Sequence, residues 1–254
     1  MPFFIDTHCH LDAAEFDADR DAVYAAAVAG GVATLVVPAV SRDNFAAVAA
    51  TCERYAGCLP AWGLHPMYID VHRPEHLADL RAQVATQRPV AIGEIGLDLF
   101  VDLDYAAQEF YCVEQLKIAR DHDLPVLLHC RRANDPLLKH LRRIGVRGGI
   151  AHAFNGSPQQ ADAFIKLGFK LGFGGAFTWP RANNLRRLAA DLPMEAIVLE
   201  TDSPDIPPVW IGRGRNAPGE LPRIAQTLAE LRGLDLDAVA QATTRNARVV
   251  LGLA

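Results

Sequence analysis

Eight short apolar runs, near 3–7, 32–38, 59–63, 90–94, 125–129, 149–153, 169–173 and 196–200, are punctuated by Gly, Pro or Asp and have the length of strands. Between them lie amphipathic stretches rich in Ala, Leu, Glu and Arg, near 17–29, 42–56, 75–87, 104–121, 134–144, 158–167 and 181–190, with 218–232 after the last run. Strict alternation makes the strands parallel, because each return path runs through a helix. Eight such units close most naturally into a TIM (β/α)8 barrel, which needs roughly 250 residues. The 254 residues therefore read as one α/β barrel domain, 1–254, with a further helical stretch at 235–250 packed under or beside it. Ser157-Pro158 marks a helix start, and Gly30-Gly31 and Gly168 mark helix ends.

A doubly wound open sheet is the rival architecture, and it would carry a Gly-rich phosphate turn after its first strand. Here that strand ends in Asp6-Thr-His-Cys-His10, and no G-x-G-x-x-G or Walker-type sequence occurs elsewhere. Gly172-Phe-Gly-Gly175 lacks the spacing and reads as tight packing at the end of the seventh strand.

Six side chains of metal-ligand type close these runs: His8, His10, Glu94, His129, His152 and Asp202. In a barrel the carboxyl ends of the strands face one cup, so residues remote in sequence converge there. The His8-x-His10 pair can put both imidazoles on one side, because residues i and i+2 share a face. Glu94 could bridge two ions with its two oxygens, His129 and His152 holding the second and Asp202 completing the first. A lone histidine at a strand end is usually a satisfied hydrogen-bonding residue. Six unpaired buried ligands without ions would cost several kcal/mol each, which favours a metal site. Such sites keep open positions for water and substrate, and two ions can clamp the attacking and leaving oxygens of a phosphodiester.

Around that rim, His65 in Gly63-Leu-His-Pro66 and Arg131 beyond His129 are placed to contact phosphate, whereas Arg132 reads as solvated. The loop Trp210-Ile-Gly-Arg-Gly-Arg-Asn-Ala-Pro218 follows the last strand, where barrels often bind phosphate, so Arg213, Arg215 and Asn216 are expected substrate contacts. Tyr68, Phe100, Phe154, Phe177, Trp179 and Trp210 fall near rim loops and could stack on a base, although packing is the default for aromatics. His72, His76, His122 and His140 are expected at the surface. Cys9, Cys52, Cys58, Cys112 and Cys130 form no Cys-x-x-Cys pair and read as reduced thiols.

The net charge of -5 opposes a broad footprint on duplex nucleic acid but leaves room for a local basic pocket. Met1-Pro-Phe-Phe-Ile-Asp6 reaches a charge too soon for a signal peptide, and no apolar run approaches the roughly 18 residues of a spanning helix. A cytoplasmic protein, with no membrane and as a monomer or weak oligomer, is the expectation.

Asp6-Thr-His-Cys-His10, Gly63-Leu-His-Pro66, Gly93-Glu-Ile-Gly-Leu-Asp98, Leu128-His-Cys-Arg131, His152-Ala-Phe-Asn-Gly-Ser157 and Glu200-Thr-Asp-Ser-Pro204 occur in that order. Taken together they resemble the TatD family of metal-dependent hydrolases, from about residue 4 to 250, with Gly93-Glu-Ile-Gly-Leu-Asp-Leu-Phe100 and Gly174-Gly-Ala-Phe-Thr-Trp-Pro-Arg181 closest to its YjjV-like branch. The resemblance implies an amidohydrolase-type TIM barrel and a deoxyribonuclease that removes nucleotides from the 3′ ends of single-stranded DNA with divalent metal. It places one ion on His8, His10, Glu94 and Asp202 and another on Glu94, His129 and His152. Asp202 would take a proton from the attacking water, and His65 and Arg131 would sit near the phosphate. The chain departs from the family after the last strand, where Ala217 replaces the usual Glu of Arg-Asn-Glu-Pro, which bears on substrate choice.

The expected activity is therefore metal-dependent cleavage of DNA ends, with Asp202 and Glu94 catalytic and two divalent ions, Mg²⁺, Mn²⁺, Zn²⁺ or Fe²⁺. The acid and histidine content leaves room for a third ion. The same site could instead attack a small ester, lactone, amide or aminoacyl-tRNA ester, because fold and metals do not choose the bond. A scaffold with purely structural metals is the reading from a different class.

Overall fold

A computed structural model describes residues 3–253. Eight parallel strands follow one another around a barrel in chain order: β1 Phe4–Asp6, β2 Val32–Pro38, β3 Cys58–Trp62, β4 Ala91–Asp98, β5 Val126–Arg131, β6 Gly149–Ala151, β7 Phe169–Phe173 and β8 Ile197–Leu199. Around the seam, Thr7 N donates to Leu199 O at 3.1 Å and Asp202 N to His8 O at 2.8 Å, so the last strand returns to the first. The intervening helices are α1 Arg20–Ala29, α2 Phe45–Arg54, α3 His76–Thr86, α4 Tyr105–Asp121, α5 Asn134–Ile144, α6 Pro158–Lys166 and α7 Asn183–Asp191, followed by α8 Leu221–Arg232 and α9 Leu236–Leu251. The alternation read from the sequence is the observed one.

Local chemistry sets the helix ends. Asp104 accepts from Ala106 N and Ala107 N at the start of α4, and Ser157 and Gln160 cap α6 reciprocally with Pro158 in the first turn. Among the described residues no helix is long and apolar enough to cross a membrane.

Two apolar clusters divide the core. The larger lies between strands and helices and contains Trp62, Phe4, Phe154, Phe164 and Phe177. The smaller draws Ile5, Val36, Ala61, Ala91, Leu127, Ile150 and Val198 from seven strands, which can meet only inside the barrel, and Ala247, Val250 and Leu251 of α9 close it from below. The stretch at 235–250 is thus the floor of the barrel. Burying each Leu- or Ile-sized side chain contributes roughly 1.5–3 kcal/mol.

One strand differs from expectation. The apolar run ends at Glu94, but β4 continues to Asp98 through a register shift between Ile92 and Ile95, after which Gly96, Leu97 and Asp98 pair with His129, Cys130 and Arg131. The glycine is what permits it, because a Cβ at Gly96 would fall 1.9 Å from His129 O. Glu94 therefore projects from the middle of its strand.

Three histidines expected at the surface are also corrected: His72, His76 and His140 are buried. Each finds a local partner that offsets burial, His65 O for His72 at 2.9 Å, Arg73 for His76 and Glu109 for His140 at 2.8 Å.

Candidate metal centre

The strand ends deliver their polar residues to one buried point centred on Glu94. Its Oε2 lies 3.0 Å from His8 Nε2 and 3.6 Å from His10 Nε2; its Oε1 lies 3.1 Å from His65 Nε2, 3.0 Å from His129 Nδ1 and 3.8 Å from His152 Nε2. Asp202 Oδ1 faces the same point at 3.6 Å from His8, 3.7 Å from His152 and 3.9 Å from His10. All six expected ligands are together.

Distances group them as His8, His10 and Glu94, as His8, His152 and Asp202, and as His65, Glu94 and His129. That places His65 beside His129 where the sequence suggested His152. Tautomers separate the two. His65 Nδ1 accepts from Met67 N at 3.1 Å, so the neutral ring carries its proton on Nε2 and donates toward Glu94. A nitrogen that holds the proton has no lone pair for a cation. His129 is arranged the other way, its Nε2 meeting Asp98 Oδ2 at 2.9 Å, which leaves Nδ1 free toward Glu94. His152 Nδ1 lies 3.0 Å from Glu200 Oε1, a charge contact in which the ring N–H is not aimed in line, and its Nε2 points at Glu94 and Asp202. His65 is thus a donor, and His129 and His152, when neutral, are the residues that present lone pairs.

The donor set fits a cation. His8 Nε2 and His10 Nε2 sit 3.3 Å apart with Glu94 Oε2 beside them, so ring nitrogens and a carboxylate oxygen converge on one spot. Mixed imidazole and carboxylate ligands suit Mn²⁺, Zn²⁺ or Fe²⁺, and Mg²⁺ less well.

The electrostatics follow from burial opposed by clustering. Burial, reinforced by the charge of His152, pushes the His8 imidazole down to about 4. Burial also opposes the His10 and His152 cations, but Glu94 outweighs it for His10, raising it to about 9, and Glu200 with Asp202 raises His152 to about 10. Burial would protonate Glu94, yet the surrounding histidines hold it well below the usual carboxylate range. Asp202 is raised by burial to about 6. Its φ of +57° is a left-handed conformation that a residue with a Cβ adopts at a cost, as functional residues often do.

A cavity of about 1070 Å³ opens above these groups, lined among others by His65, Tyr68, Glu94, Phe100, His129, Arg131 and Asp202. Other expected contacts lie elsewhere. Arg215 is held by Asp19 at 2.6 and 2.9 Å and lies over Phe16. Asn216 is fully buried, its amide donating to Thr201 O, Asp205 O and Ile206 O, so it closes the loop behind Asp202. Phe154 and Phe177 belong to the core, and Trp179 and Trp210 are bonded to Pro207 O and Glu220. The cysteines are free thiols, and none joins the three ligand groups.

Asp98 and Glu200, which orient His129 and His152, were not singled out from sequence as functional. Asp98 shares a face with Glu94 four residues before it, a signal hidden once the strand is ended at Glu94.

Comparison with known proteins shows a family and fold in common. The model of the family described as TatD related DNase matches residues 5–252. YjjV of Escherichia coli K12, an uncharacterized metal-dependent hydrolase, is 44% identical over 248 residues, 96% of this chain and 95% of its own. The crystal structure of that TatD homolog covers 99% of this chain and 98% of its own with a TM-score of 0.94 and 42% identity. The 3′-5′ ssDNA/RNA exonuclease TatD of Cronobacter sakazakii is 35% identical over 244 residues, 91% of this chain and 90% of its own.

Proposed function

The chain belongs to the TatD related DNase family of metal-dependent hydrolases, and from that premise we propose that it removes nucleotides from the 3′ ends of single-stranded DNA with two divalent ions. The observation that carries this reading is the division of Glu94, one oxygen toward His8 and His10 and the other toward His129 and His152. His8, His10, Glu94 and Asp202 would hold one ion, and Glu94, His129 and His152 the other. Bound there, the ions would polarise the phosphoryl oxygens and ease deprotonation of water.

The rest is done by side chains. Asp202, raised to about 6, accepts the proton of the attacking water at a carboxylate oxygen near neutral pH. His65 donates from Nε2 and is placed to turn that N–H to a phosphate oxygen. Asp98 and Glu200 keep His129 and His152 in the orientations described. The cavity, about 1070 Å³, lies at the top of the range for small-ligand pockets, roughly 300–1,000 Å³, and suits a strand terminus better than a small lactone.

The test is release of label from a 3′-labelled single strand by protein of measured metal content, beside Glu94→Ala and Asp202→Asn. Each variant should lose at least about a thousandfold in kcat/KM. Release that survives in both, or rapid turnover of an aminoacyl ester or lactone with negligible turnover of the strand, overturns the assignment.

A further inference from the structure

The mouth of the cavity carries a charge cluster of which only Arg131 has been read as a phosphate contact, and Arg132 and Phe100 have no role in the metal chemistry. Phe100, just beyond β4, is 51% exposed. Two consecutive arginines lie against its ring, Arg131 Cζ at 3.7 Å and Arg132 Cζ at 4.6 Å from the centroid. Neighbouring side chains on a regular strand point to opposite faces. Arg132 breaks that rule because its φ is +56°, a left-handed conformation unfavourable for a residue with a Cβ. The backbone that carries the ring is anchored, Phe100 N donating to Asp98 Oδ1 at 2.8 Å and Leu99 N to Arg131 O at 2.9 Å.

Two guanidiniums held on one ring repel each other unless an anion lies before them. Among the described residues, Arg131 meets only Asp98 Oδ2, at 4.0 Å, and Arg132 meets no carboxylate within that distance. Both arginines line the same cavity as His65 and His129, and Asp98 links Arg131 to His129. With a guanidinium stacked on it, Phe100 offers charge rather than a bare face for a base.

We infer that Arg131 and Arg132, spaced by Phe100, form a second phosphate subsite that grips a nucleic-acid strand one phosphate away from the bond being cut. The inference rests on the phosphodiesterase reading and deepens it, since it demands a substrate with at least two phosphates. A guanidinium fork matches phosphate oxygens bidentately, which a lysine does not.

Metal-loaded parent, Arg132→Ala, Arg132→Lys and Phe100→Leu are compared on a single-stranded oligonucleotide and on bis(p-nitrophenyl) phosphate, which has the diester but no second phosphate. Binding of a phosphorothioate oligonucleotide is followed against salt, with Arg245→Ala, exposed on α9, as a control for general loss of charge. Arg132→Ala should raise KM for the strand about tenfold, with a loss on the small diester at least about fivefold smaller. It should also flatten the logarithmic salt slope by about 0.7. Arg132→Lys should recover part of the loss, and Phe100→Leu should reproduce the pattern more weakly. Equal losses on both substrates, or an unchanged slope, overturn the subsite and leave the phosphodiesterase reading standing. A parent that cleaves neither substrate yet binds the strand in an Arg132-dependent way overturns the activity and keeps the subsite; one that does not bind it overturns both.

Discussion

The floor and the mouth of this barrel are built from the same strands with opposite chemistry. Leu127, Ile150 and Val198 belong to the apolar floor closed by α9, and of the residues two positions on, His129 and His152 belong to the candidate metal centre and Glu200 contacts His152. A step of two keeps the same face of a strand, so the polar layer stands directly on the apolar one. Below, fit is a matter of volume and tolerates small rearrangements. Above, every group is charged or lone-paired and must be answered by a named neighbour. Glu94, enclosed by histidines on this apolar base, is 3% exposed, so that its interactions act in a low dielectric.

Removing metal should break the contrast most strongly, because it touches the mouth alone. A ligand that binds only the folded state at a thousand times its Kd stabilises by about 4 kcal/mol, and chelation should remove both that stability and the activity. The effect should depend on pH. In the metal-free protein His10 and His152 are raised from 6.5 to about 9 and about 10. Groups raised in this way stabilise the folded chain below 6.5 and lose that contribution as pH climbs through 9 and 10. Ions need the same rings neutral, so metal affinity rises over that window. The gap in Tm between loaded and stripped protein should therefore widen from pH 6.5 to pH 9. A gap that is constant or narrows would mean that these histidines are not ligands.

Ile150→Ala should do the reverse. The residue is fully buried in the floor, two positions before His152. Truncation there should cost about 2–5 kcal/mol. In a chain this size that is roughly 5–15 °C in Tm, while kcat/KM at 25 °C stays within about threefold of the parent. A loss of activity larger than a Glu200→Gln variant suffers would show that the layers are mechanically coupled.

The same contrast explains what could be read from sequence. Floor and mouth positions were both legible because an apolar run ending in a ligand-type residue is a local pattern, as in Val126-Leu-Leu-His129. Partnerships were not local. The choice between His65 and His152 depends on a backbone N–H from Met67, and the role of Asp98 depends on β4 continuing past a glycine that looks like a strand end. The partners of the loop after β8 were not legible either: Gly-Arg-Gly-Arg-Asn looks like a phosphate loop, and in the structure Arg215 is bonded to Asp19 and Asn216 to three carbonyls. Arg132 reads as merely solvated beside Arg131 in sequence, and only a backbone turn shows that both lie over one ring.

Asn216 sharpens the comparison at the smallest scale, since it lies behind the mouth, fully buried, and is bonded as floor residues are packed. Its amide donates at 2.8, 2.9 and 3.3 Å to Thr201 O, Asp205 O and Ile206 O, bracing the segment that holds Asp202 in its left-handed conformation. Asn216→Ala leaves the buried Thr201 carbonyl without this donor and should cost about 1–3 kcal/mol in urea unfolding. If the side chain positions Asp202 and does not touch DNA, kcat should fall with KM for the strand nearly unchanged. Asn216→Asp, which cannot donate, should then resemble Ala. A rise in KM at constant kcat would return Asn216 to the substrate and detach the loop from Asp202.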